Sequence, residues 1–101
     1  MENVYLVQTR WSVDMDSGVD TYIFDSYEKS CIFFNDLIID EIENTWISDH
    51  YSDGKFDEQI DHENINCEKD SNDIVYQKWY VQQRYDWVYY TEISLDVKEL
   101  Q

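Results

Sequence analysis

The sequence predicts an α+β fold of ββαββ order, a four-stranded, largely antiparallel sheet with one long helix packed across one face. Three observations carry it. Asn3 to Asp14 and Ile74 to Lys98 alternate with a period of two in β-branched and aromatic residues, whereas Asp25 to Ile47 repeats its apolar residues at helical spacing. The chain has no Pro and only two Gly, both outside these stretches.

The elements follow in chain order. Tyr5, Val7, Thr9, Trp11 and Val13 share one side of the first strand, and Val4, Leu6, Gln8, Arg10 and Ser12 the other. Met15 to Gly18 supplies turn chemistry, with Gly18 free to take a positive φ, and Val19 to Phe24 reads as the returning strand. In the helix, Tyr27, Cys31, Phe34, Ile38 and Ile42 fall within one apolar stripe at about 100° per residue. Asp36, Asp40 and Glu43 fall on the opposite side, about 6 Å apart along the axis. Asp25 is the expected N-cap, with Glu28 closing a capping box, and the helix should fray between Trp46 and Tyr51. Ile32, Phe33, Leu37 and Ile39 lie off the main stripe, so the following loop or a second subunit, as in a homodimer, is expected to cover some of them.

Residues 48–73 read as a polar, acidic and irregular segment, with Phe56 and Ile60 spaced for a short helix across Lys55 to Glu63. Ile74 to Tyr85 and Trp87 to Lys98 then form a hairpin turning near Arg84 to Trp87. Tyr89, Thr91, Ile93, Leu95 and Val97 belong to its core face, while Tyr80 and Tyr90 stand among polar residues on the other. A chain of 101 residues holds one core, so residues 1–101 are read as a single domain.

Charge is the outlying property. Seven Lys and Arg against 23 Asp and Glu leave a net charge of −16, and the apolar fraction of 43% is enough to fold against that self-repulsion. Direct nucleic-acid binding is excluded by sign, and a basic protein partner is favoured. The acids are segregated: 13 acidic and 2 basic residues lie between Asp36 and Asp73. No run of 18 apolar residues predicts a membrane span, and no basic-then-apolar leader follows Met1, so a cytoplasmic protein is expected. Cys31 and Cys67 do not make a disulfide framework.

Site chemistry is sparse. Asp49, Asp53, Gly54 and Asp57 occupy positions one, five, six and nine of a calcium-loop template, but Tyr51 at three and Ile60 at twelve remove the ligands that give affinity. His50, His62, Cys31 and Cys67 match no compact zinc spacing. No metal or cofactor is expected. With no nucleophile motif or phosphate loop and little apolar lining for a pocket, the chain is not expected to be an enzyme. Tyr76, Trp79, Tyr80, Tyr85, Trp87, Tyr89 and Tyr90 would suit base stacking, yet Lys78 and Arg84 are too few to hold a polyanion, so these aromatics read as sheet core and interface anchors.

What remains is the acidic surface of Asp36, Asp40, Glu43, Asp49, Asp53, Asp57, Glu58, Asp61 and Glu63. Clustered carboxylates cost stability and are not needed for solubility. At a spacing of about 6 Å they approximate phosphates along a strand. With its VYLV opening, the helix SYEKSCIFFNDLIIDEIE and the loop DGKFDEQIDHEN, the chain resembles the small acidic proteins of phages and prophages that imitate DNA, of anti-CRISPR or anti-restriction type. The resemblance lies in pattern and composition. It implies an inhibitor that blocks the basic groove of a nuclease or effector complex in the cytoplasm of a bacterial host. The alternative is an immunity-type module capping one basic partner through shape-specific aromatic anchors.

Overall fold

The computed structural model describes residues 3–13, 15–68, 75–84 and 89–99. An antiparallel hairpin, β1 (Asn3–Val13) and β2 (Asp16–Phe24), leads into α1 (Tyr27–Asn44) and a 3-10 helix, Trp46–His50. A small hairpin, β3 (Tyr51–Ser52) and β4 (Lys55–Phe56), precedes β5 (Ile60–Glu68), β6 (Val75–Gln83) and β7 (Tyr89–Glu99). The main sheet has the order β2-β1-β7-β6-β5, every neighbouring pair antiparallel. The fold class is therefore α+β as expected, but the sheet has five strands rather than four, with a separate two-stranded sheet inserted after the helix.

The fifth strand is β5, in the stretch expected to be irregular, and no helix crosses Lys55 to Glu63. Phe56 and Ile60 are at helical spacing because each enters the same core from a different element. The segment IDHENINCE is held by its backbone ladder to β6, which is indifferent to side-chain polarity, so its composition carried no strand signal.

Alternation in the other strands works as the sequence implies. Val7, Trp79, Val81, Ile93 and Leu95 point to one face of the sheet, where Phe34 of the helix and Ile47 of the 3-10 turn close the core. Phe34 is 1% exposed. Ser30 is also fully buried on the stripe, its hydroxyl donating to the Tyr27 carbonyl at 2.7 Å. Phe33 is covered by Tyr22 and Phe24 of β2, with ring centres 4.7 and 5.2 Å away. Ile32 and Ile39 stay exposed.

The helix ends differ from expectation. Ser26, in extended backbone, is the N-cap and its hydroxyl accepts from the Lys29 amide; Asp25 stands one residue outside and pairs with Lys29 at 4.0 Å, so no capping box includes Glu28. At the other end Thr45 folds its hydroxyl back on the Glu41 carbonyl, and the chain tightens into the 3-10 helix instead of fraying.

Both glycines do other work than predicted. Gly18 lies inside β2, opposite Trp11, and the hairpin turns earlier, between Val13 and Asp16. The Trp11 indole lies so close over Gly18 that an added Cβ would sit 2.4 Å from a ring carbon. Asp53 and Gly54, with φ of 52° and 77°, form the two-residue turn of the β3–β4 hairpin, the left-handed pair that Asp-Gly favours. The calcium-template glycine is thus a hairpin glycine. The expected turn near Arg84 to Trp87 lies, beyond Arg84, outside the described residues. No helix among the described residues is long and apolar enough to cross a membrane.

Candidate interaction surface

The helix packs over β1, β7 and β2, and Phe56 of the small hairpin lies against His62 of β5. Among the described residues no helix or second sheet covers the opposite face. Those two faces differ sharply in charge, through register. Arg10, Lys78, Glu92, Asp96 and Lys98 are all out of phase with the core residues, so the ladder turns them to the uncovered face.

Glu92, on the central strand β7, gathers that face. Lys78 approaches it at 3.0 Å from β6, Arg10 at 3.9 Å from β1, and the Tyr90 hydroxyl donates to it at 2.8 Å. Burial alone would push the carboxyl up; the Lys78 and Tyr90 hydrogen bonds, with the charges of Lys78 and Arg10, outweigh it and hold Glu92 below the usual carboxylate range. The same hydrogen bond, to a carboxylate, holds Lys78 above its ordinary value. Burial first and the Glu92 contact second push the Tyr90 phenol up. Tyr80 stacks on Tyr90 with centres 6.1 Å apart. Lys98 pairs with Asp96 and Arg84 with Asp61 on this side as well.

The helix-side surface has no such balance. Asp36, Asp40 and Glu43 are exposed along α1, as predicted, with the exposed Ile32 and Ile39 beside them. Asp49 in the 3-10 helix, Asp53 at the hairpin tip and Glu58 after it are exposed too. Asp16 and Asp20 of β2 join this side, since Asp20 stands opposite Thr9 and Asp16 opposite Val13. Among the described residues its cations are Lys29 and Lys55.

The predicted acidic set is therefore split. Asp36, Asp40, Glu43, Asp49, Asp53 and Glu58 lie on helix-side elements, whereas Asp61 and Glu63 alternate to the uncovered face, with Asp61 held by Arg84 at 2.9 Å. Asp57 is on the helix side but paired: its hydrogen bond with His50 at 2.9 Å holds the carboxyl below its ordinary value. Glu41, which the sequence placed in no site, turns toward the sheet. Burial raises its carboxyl, Asp40 adds to the rise, and a Thr45 hydrogen bond works against it. The helical period alone would have marked Glu41, because it falls seven residues after Phe34.

A groove of roughly 640 Å³ runs beside the helix, between Ile38 and Ile42 on one wall and His62 and Asn64 of β5 on the other. Trp79 is its floor, and Tyr51 and Phe56 of the small hairpin close one end. Phe56 rests on the His62 ring at 4.5 Å. Among the described residues no three His, Cys, Asp or Glu side chains converge as metal ligands, and the Cys67 side chain lies outside them. No family model matches the chain, and no match was found among curated proteins or solved structures.

Proposed function

We propose that this protein is an acidic inhibitor whose helix-side face occupies the basic nucleic-acid groove of a bacterial defence nuclease, as anti-CRISPR and anti-restriction DNA mimics do. One observation carries the reading. Arg10, Lys78, Arg84 and Lys98 are held in ion pairs on the uncovered sheet face, so the negative charge is concentrated on the other side. A one-signed surface steers a basic partner, because unscreened charges act over a Debye length of about 8–10 Å. No catalytic role is assigned.

A second reading, an immunity-type binder of one basic protein, is favoured by Ile32 and Ile39, 57% and 52% exposed beside the acids of the helix. Apolar anchors there would add a shape-specific contact that phosphates lack. Affinity capture from the host supplies the partner. With it in hand, Asp36→Lys combined with Asp40→Lys should slow association by roughly tenfold or more at low salt, an effect that fades as salt rises. Reversal at Asp96, on the uncovered face, should do much less. A mimic is displaced by duplex or guide nucleic acid; an immunity-type binder is not, and Ile39→Ala speeds its dissociation. Binding indifferent both to salt and to the helix reversals would refute the proposal.

A further inference from the structure

We propose that the free edge of β5 is a second binding surface, one that takes an extended basic strand from a partner by adding it to the sheet. The backbone directions decide it. The Arg84 amide donates to the Gln59 carbonyl, which makes Gln59 and Arg84 a hydrogen-bonded pair, and the Ile60↔Gln83 register continues from there. Hydrogen-bonded pairs alternate along an antiparallel ladder, so Asp61, Glu63 and Ile65 turn their backbone groups to β6, and Ile60, His62 and Asn64 turn theirs outward. The Ile60 amide, which donates to the Asp57 carbonyl at 3.2 Å away from β6, agrees with this phase. The outward groups of His62 and Asn64 have no hydrogen-bond partner among the described residues.

A long edge strand of this kind is a template for pairing unless it is blocked; β5 contains no proline, and among the described residues no strand pairs with its outer side. Side chains sort by the same phase. In a strand added antiparallel to β5, the residues that bond to His62 and Asn64 would share their face, the one that opens on the groove floored by Trp79 and walled by Ile38 and Ile42. Alternate residues would lie on the other face beside the exposed Glu63. A strand with large apolar residues at one parity and Lys or Arg at the other fits both. The acidic charge of the chain excludes an acidic strand, and opposes a second copy of itself. This inference shares with the proposed function only the basic sign of the partner, and it concerns a different surface.

The probe is a synthetic nine-residue peptide of alternating isoleucine and arginine, titrated into the isotopically labelled protein. Peptide binding should slow exchange of the His62 and Asn64 amides by about tenfold or more, as new hydrogen bonds form there. Methylating the isoleucine amides should weaken binding by about tenfold, whereas methylating the arginine amides, which point away from β5, should not. Asn64→Pro removes one outward N–H at a position where an edge strand tolerates proline, and Glu63→Lys reverses the charge without touching the backbone; both should weaken the peptide. Asp36→Lys with Asp40→Lys should leave it bound, which separates this surface from the helix face. Equal affinity of the peptides methylated at isoleucine and at arginine, or shifts confined to α1, would overturn the proposal and leave non-specific adhesion to an acidic protein.

Discussion

Glu92→Gln tests the charge arrangement from the inside. The substitution keeps the shape and one acceptor oxygen but removes the charge that Lys78, Arg10 and Tyr90 share, at a side chain only 17% exposed. A hydrogen bond to a charged group contributes about 1.5–3 kcal/mol when well buried; with Lys78 26% and Arg10 56% exposed, solvent screens part of this, and the expected loss at neutral pH is about 1–2 kcal/mol. For a domain of this size that is a fall of roughly 4–16 °C in Tm. The pH dependence follows from the direction of the shift. Glu92 sits lower in the folded than in the unfolded chain, so its contribution is complete above the unfolded carboxylate value and disappears as pH falls through the folded one. Urea unfolding of both proteins at neutral and at strongly acidic pH measures the difference: a gap at neutral pH that closes in acid. A gap of the same size at both, or none at neutral pH, would mean that the cluster is not held by the carboxylate charge.

Three further outcomes follow from the packing. Phe34→Ala should cost about 3–5 kcal/mol by urea denaturation, since Phe34 is 1% exposed at the centre of the core, while Ile39→Ala on the exposed side should be near neutral. Gly54→Ala meets no atom within 4 Å, so its cost is backbone strain at φ 77°, about 1 kcal/mol, and protection from amide exchange should drop in the small hairpin before anywhere else. Glu41→Gln should raise Tm at neutral pH, because burial disfavours the ionised form; as pH falls through the raised folded value the wild type protonates and the advantage should vanish.

Much of this architecture was legible in the chain because its cause is local. The period-two alternation of residues 3–13 and 89–97 and the helical stripe through Phe34 each reflect the geometry of a single element, and each faces the core as its period requires. Exposure of Asp36, Asp40 and Glu43 followed from the same stripe. The Asp53-Gly54 turn was not read from the sequence, although Asp-Gly suits a pair of positive φ angles, because the calcium template claimed the same glycine and the flanking strands are only two residues long. Ser26 was a better cap than Asp25 only because the backbone enters the helix one residue later, and no propensity separates two adjacent capping residues.

Tertiary structure decided what depends on partners distant in sequence. β5 exists because β6 offers it a ladder, and IDHENINCE has no apolar face of its own to announce a strand. Strand order, with the C-terminal β7 between β1 and β6, brings Arg10, Lys78 and Glu92 together from positions far apart in the chain. Alternation along β5 then sends Asp61 and Glu63 away from the acids of the helix, dividing a cluster that is continuous in sequence. Net charge belongs to composition and was fixed before folding. Which face carries it depends on register, because one step along a strand moves a side chain to the opposite side of the sheet.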